Sequence, residues 1–228
     1  MNLSKLEELI SYQFKNKDLL KESLTHRSYL NEEPAWSLPH NERLEFLGDA
    51  VLELAVTEEL FNRYPDYTEG QLTPIRSALV NFQMLAQIAR ESLNLENFVL
   101  LSRGEAKDTG RAREVILANA MESVIGALYL DGGYVSAKNF VNRFVLERLH
   151  EVMSKGLYKD AKSELQEKIQ EQLKVTPTYK VLGETGPDHE KTFTVGVYFG
   201  DNLMAQGEGP SKQEAEVEAA KAALRQLE

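Results

Sequence analysis

Three carboxylates, Glu42, Glu45 and Asp49, follow one another at i, i+3 and i+7. At helical pitch that spacing puts all three on one face. By spacing alone a solvated acidic face is the commoner outcome. Here the stripe runs on into Leu52 and Val56, and the remaining faces carry Leu44, Phe46, Leu47, Val51, Leu54 and Ala55. A helix apolar on most sides is expected to be buried. Like charges crowded in a partly buried place raise their own pKa values unless a cation compensates.

A second polar pair interrupts the apolar run Val115–Leu130, where Asn119 and Glu122 share a helical face at i, i+3. An unpaired buried carboxylate costs several kcal/mol. Two remedies are open. One is an arginine partner, for which Arg43, Arg76 and Arg113 are available. The other is a hard divalent cation held by oxygens from both segments, and carboxylates with water suit Mg²⁺ or Mn²⁺. The chain has no cysteine, and His26, His40 and His150 lie outside both clusters, so zinc is not expected. A divalent ion there would activate a water and stabilise charge on a phosphoryl oxygen, which points to phosphodiester hydrolysis.

Helices are needed to hold these groups. Helical patterning without strand alternation covers Asn2–Ile10, Lys17–Leu24, Asn41–Tyr64, Leu72–Leu93, Arg111–Leu130 and Val135–Met153. Prolines and glycines separate them, and Pro74 is expected in the first turn of its helix. Beyond the polar stretch Ser154-Lys155-Gly156 the pattern changes. A helix over Asp160–Leu173 precedes strands at Thr178–Leu182, Lys191–Phe199 and Asn202–Gln206. The middle strand alternates Phe193, Val195, Val197 and Phe199 with polar or small residues. A last helix, Ser211–Leu227, is expected to bury Ala215, Ala219, Ala222 and Ala223. The order α-β-β-β-α fits three antiparallel strands covered by two helices. The fold class is thus multidomain, all-α followed by α+β, with domains at 1–154 and 160–228 and a linker at 155–159.

The net charge is −10. Residues 1–159 hold 18 Lys+Arg against 23 Asp+Glu, and residues 160–228 hold 8 against 13. Each part is therefore near −5, and nucleic-acid binding by bulk positive charge is excluded. No apolar run reaches the roughly 18–20 residues of a membrane span. The first residues lack the layout of a signal peptide. A cytoplasmic protein with no membrane partner is expected.

The run His40–Leu54, HNERLEFLGDAVLEL, resembles the signature of ribonuclease III. Ile116–Tyr134, ILANAMESVIGALYLDGGY, resembles that family's second motif, and Tyr67–Thr73 its acidic loop. With the α-β-β-β-α tail, the resemblance covers essentially the whole chain: a nuclease domain, then a double-stranded-RNA-binding domain. It implies a Mg²⁺-dependent homodimeric endoribonuclease, with Mn²⁺ as a possible substitute. Such an enzyme cuts double-stranded RNA, leaves 5′-phosphates and short 3′ overhangs, and matures rRNA and mRNA precursors. It implies metal ligands at Glu45, Asp49, Asn119 and Glu122, with Asp49 and Glu122 catalytic. Glu42 and Glu69 map to further acidic positions near the cleft, and Phe46 to an anchor in the partner subunit. The family usually has Asp where this chain has Asn119. An amide keeps a carbonyl oxygen and lacks the charge, so a non-cutting RNA binder is the alternative reading. A phosphohydrolase of small nucleotides would also use buried carboxylates; the RNA-binding tail argues against it.

In the tail, Ser163, Gln166, Glu167 and Gln170 form a polar stripe at i, i+3, i+4, i+7. By spacing alone this is a solvated face. The resemblance implies a minor-groove role, since duplex RNA is read there by shape and 2′-hydroxyls. It likewise implies contacts from His189 and Lys191. Ser211 and Glu214 form a capping box. Lys212 opposes the dipole of the helix that it opens, which makes sense if a phosphate docks there.

Overall fold

The computed structural model describes residues 3–158, 160–187 and 191–227. The chain divides into two compact units, Met1–Tyr158 and Lys159–Glu228. His189, expected to contact RNA, lies outside the described residues.

The first unit is helical: α1 (Leu3–Ile10), α2 (Lys17–Ser23), α3 (Arg27–Glu32), α4 (Glu42–Arg63), α5 (Glu69–Val80), α6 (Phe82–Glu91), α7 (Arg111–Phe144) and α8 (Leu149–Ser154). Helices α4 and α7 form its centre and make the most extensive contact in the unit. Leu52, Ala55, Val56 and Leu60 of α4 are buried with Leu117, Met121, Val124, Ile125 and Leu128 of α7.

Several expectations need correction. The single helix Leu72–Leu93 is two helices. Asn81 ends α5 and caps α6, its side chain accepting the Met84 N–H at 2.9 Å. Helix α5 begins at Glu69, because the Gln71 side chain accepts the Thr68 N–H at 2.9 Å and closes the first turn. Pro74 therefore sits inside the helix, past the turn where a missing N–H costs nothing. Gly132-Gly133 breaks the helical backbone as expected: Gly133 takes the non-helical conformation φ 73°, ψ −179°, and α7 runs as two helical segments on either side of that kink. The short helix α3 was not expected. Residues 155–158 were expected as linker and belong to the first unit, with Tyr158 packed on its core.

The stretch Arg111–Ser154 holds an 18-residue window whose mean hydropathy would suit a membrane span, and 61% of that window is buried inside the protein. It is the core helix of the unit. The larger correction concerns α4. Phe46 is 82% exposed, Leu54 57% and Phe61 70%. With Ala50 and Thr57, also exposed, they form a stripe down one side of the helix.

The second unit runs α9 (Ala161–Leu173), β1 (Thr178–Thr185), β2 (Thr192–Phe199), β3 (Asn202–Gly209) and α10 (Lys212–Gln226). The sheet is antiparallel in the order β1-β2-β3. Val197, Phe199 and Ala205 meet Ala161, Leu165 and Ile169 of α9 and Ala219, Ala220 and Ala223 of α10 in one core. Ala220 takes the buried place expected of Ala222, which is only half-buried. The strands β1 and β3 run three residues further than the alternation suggested, to Thr185 and Gly209. Glycines permit that in β3: a Cβ on Gly207 would stand 2.1 Å from the Ala219 nitrogen of α10.

Candidate active site and RNA-binding surface

The acidic stripe of α4 and the polar pair of α7 meet because the two helices touch backbone to backbone. A Cβ on Gly48 would lie 1.7 Å from the Glu122 carbonyl oxygen, and one on Gly126 2.2 Å from that of Leu44. No side chain larger than hydrogen fits at either position. Ser123 adds a tie, its hydroxyl donating to the carbonyls of Asn119 (2.7 Å) and Asn41 (3.2 Å), which joins α7 to the start of α4. Sequence reasoning missed Gly48, Gly126 and Ser123. The available signal was glycine inside strongly helical patterns, which marks a close approach when it is not a break.

Across this crossing Glu45, Asp49, Asn119 and Glu122 act on one another. Burial, then the charges of Asp49 and Glu45, push the Glu122 carboxyl up to about 8. Burial and Glu42 push Glu45 upward, against the pull of a hydrogen bond from Asn119, with Asp49 adding to the rise. The Asn119 amide thus spends its N–H on Glu45, and its carbonyl oxygen stays a donor of the right kind.

The arginine remedy is absent. Arg76 pairs with Glu53 at 2.9 Å. Arg113 donates to the Glu96 carbonyl at 3.3 Å. Arg43 acts on Glu22. Among the described residues no ion pair reaches Glu122. The cluster is therefore a surplus of negative charge built from oxygen donors, the composition that suits a hard divalent cation. Among the described residues no three carboxylate, imidazole or thiol groups are already closed into a metal cage.

The accessory acidic residues part company. Glu42 stays at the rim of the cluster, 3.6 Å from Arg27 and 3.8 Å from His40. Glu69 does not join it within the chain. It starts α5, accepts a hydrogen bond from Thr73 at 3.1 Å, and lines an open hollow with Leu60, Phe61, Tyr67 and Leu72.

In the second unit, Ser163, Gln166, Glu167 and Gln170 are all exposed on α9, opposite the buried Ala161, Leu165 and Ile169. Two of them are engaged locally. Ser163 donates to the Asp160 carboxylate at 2.6 Å as part of the helix cap, and Gln170 accepts from Thr176 at 3.3 Å. Lys191 and Lys212, distant in sequence, are brought together at one end of the sheet, both beside Glu184. Ser211 caps α10 as expected, accepting the Glu214 N–H at 3.2 Å.

Known proteins share both units. The family described as Ribonuclease-III-like matches residues 16–149, and the double-stranded RNA binding motif matches residues 161–227. Ribonuclease 3 of Borreliella burgdorferi is 46% identical over 226 residues, covering 99% of this chain and 91% of that one. Ribonuclease 3 of Carboxydothermus hydrogenoformans is 46% identical over 226 residues, with 99% and 96% covered. Among solved structures, the nuclease domain of ribonuclease III from Campylobacter jejuni, which has flexibility in a region involved in dimer formation, superposes with a TM-score of 0.58. It is 43% identical and covers 64% of this chain and 97% of its own. Two units that match in this order, with relatives this similar along nearly their whole length, mean that the chain belongs to the ribonuclease III family.

Proposed function

We propose that this protein is a divalent-metal-dependent endoribonuclease that hydrolyses phosphodiester bonds of double-stranded RNA. The first unit, Met1–Tyr158, forms its catalytic domain and residues 160–228 its RNA-binding domain. The observation that carries the reading is Glu122: a half-buried carboxyl pushed up by Asp49 and Glu45 with no arginine to neutralise it. The double-stranded RNA binding motif that follows supplies the substrate class. Non-cutting binding is not favoured, because only one of the four positions lacks a charge and its oxygen remains.

Glu45, Asp49, Asn119 and Glu122 would hold Mg²⁺, or Mn²⁺ in its place. When bound, such an ion supplies activation of water and stabilisation of charge on the phosphoryl oxygen. The chain itself does the rest. Asn119 orients Glu45 through its hydrogen bond. In the metal-free protein Glu122 keeps its proton near neutral pH, and it would have to give that proton up to serve as a ligand. Gln166 and Glu167 address the minor groove, and Lys191 and Lys212 the phosphates. The products are 5′-phosphates with short 3′ overhangs, made in the cytoplasm during maturation of rRNA and mRNA precursors.

The exposed stripe on α4 supports a homodimer in which Phe46 anchors in the partner subunit. Truncating such an anchor typically weakens association by about 2 kcal/mol. In sedimentation, Phe46→Ala should shift the protein towards monomer; an unchanged dimer at low concentration would count against that role. The activity is tested by incubating the full chain with labelled duplex RNA and with small nucleotides, in Mg²⁺ and in EDTA. Cutting of the duplex alone, and only with Mg²⁺, is expected.

A further inference from the structure

Glu184 stands on β1 directly across from Phe193 on β2. Its two carboxylate oxygens face two different cations. One lies 3.5 Å from the Lys191 ammonium and the other 3.9 Å from that of Lys212. The Lys212 ammonium also sits over the Phe193 ring, 5.6 Å from its centre. Both carboxylate contacts are longer than a direct hydrogen bond, and all three charged groups are open to solvent. Pairs of this kind add little to folding. The start of α10 has its own cap in Ser211, so the fold does not need Glu184 to begin that helix.

Two lysines facing one doubly presented oxyanion is also the arrangement by which they would meet a phosphate. We propose that Glu184 is a built-in competitor: it occupies Lys191 and Lys212 when RNA is absent and opposes a phosphate docked on them. It thereby limits how tightly the second unit holds duplex RNA. This rests on the RNA-binding reading above. Residues 160–228 hold 8 Lys+Arg against 13 Asp+Glu, so an opposing charge placed among the phosphate-facing cations weighs on affinity. A like charge about 6 Å from a docked phosphate in water changes affinity by roughly threefold. Removing the opposing charge also increases net counterion release on binding, so the plot of log affinity against log salt should steepen by up to about one.

The test uses the full chain in EDTA, which prevents cutting, and a fluorescent RNA duplex of about 20 base pairs, long enough for one such domain. Affinity is measured across a salt series for the natural chain, Glu184→Gln, Lys191→Ala/Lys212→Ala, and the triple variant. Glu184→Gln should bind about threefold tighter at low salt and show the steeper slope. The gain should vanish in the triple variant, which should match the double-lysine variant. Equal or weaker binding by Glu184→Gln overturns the proposal, since a carboxylate that merely orders the lysines would give that result. A gain that persists without the lysines also overturns it. Failure of the natural chain to bind duplex at any salt is a separate outcome: it removes the RNA-binding reading, and this proposal with it.

Discussion

In the helical unit Glu122 is half-buried, crowded by Asp49 and Glu45, and dependent on a helix that enters from some seventy residues earlier in the chain. In the second unit Gln166 and Glu167 stand in solvent on one short helix, with burial confined to its opposite face. The first arrangement raises a carboxyl pKa and stores unfavourable charge; the second leaves its polar groups in contact with water. Chemistry on a phosphodiester needs groups held out of their ordinary state. Recognition of a duplex by shape needs only polar groups on a rigid convex element. The two halves thus differ in how much of the fold each functional residue depends on, and substitutions should expose that difference.

The largest effect is expected where backbone meets backbone. Gly48→Ala places a methyl group 1.7 Å from the Glu122 carbonyl, and α4 and α7 would have to separate. Overpacking of this severity should cost more than about 3 kcal/mol. Gly183→Ala in β1 of the other unit, where nothing lies within 4 Å, should stay within about 0.5 kcal/mol. Urea denaturation of both variants measures the contrast, and comparable losses would break it.

Glu122→Gln should abolish cutting and leave duplex binding intact, since the change is nearly isosteric and touches only the first unit. It should also change the pH dependence of stability. The folded carboxyl titrates near 8 and the unfolded one near 4.5. Between those values the folded state binds the extra proton, so raising the pH through that window removes stability from the metal-free protein. Below pH 4.5 both states are protonated and the cost is absent; above about 8 it is complete. Melting curves in EDTA should therefore fall from pH 5 to pH 8 for the natural chain and fall less for Glu122→Gln. Parallel profiles would mean that Glu122 is not the strained group.

Asn119→Asp sharpens the same point with a smaller effect. It adds a charge to a cluster already in surplus, so the metal-free protein should melt lower. Less Mg²⁺ should then suffice for half-maximal cutting, and overlapping Mg²⁺ titrations would place residue 119 beyond the effective reach of the ion. Smallest of all is Gln166→Ala. Duplex affinity should fall by about threefold to tenfold, the loss of one hydrogen-bonding contact, with no shift in melting temperature. A melting shift there would show that α9 is not the independent surface described above.

Much of this was legible beforehand because it is periodic. The spacing of Glu42, Glu45 and Asp49 marked one face, Asn119 and Glu122 marked another, and alternation in β2 marked a strand. Periodicity reports which side of an element a residue occupies, and it says little about what lies opposite. That is why the exposure of Leu54 and Phe61 was not foreseen, and why only the family resemblance placed Phe46 at the surface: an apolar side chain reads the same whether it faces a core or solvent. Gly132-Gly133 was legible as a break, because a glycine pair signals backbone freedom and Gly133 uses it at positive φ. Glu69 was placed near the acidic group by family resemblance alone, with no spacing to support it, and the pairing of Lys191 with Lys212 through Glu184 depended on strand register.

The contact of α4 with α7 through Gly48 and Gly126 also bears on ionic radius. Where peptide groups touch directly there is no side chain left to repack, so the spacing of the two helices is a fixed dimension. An ion seated between them cannot be accommodated by sliding the helices apart; any difference in size must be taken up by rotation of the Glu45, Asp49 and Glu122 side chains. Mg²⁺ draws its oxygens to about 2.0–2.1 Å in an octahedron, whereas Ca²⁺ accepts 2.3–2.6 Å and more ligands. On the proposed metal-bound reading, a frame of fixed spacing would favour the smaller ion, and discrimination against calcium would be a property of two glycines that touch no ion at all.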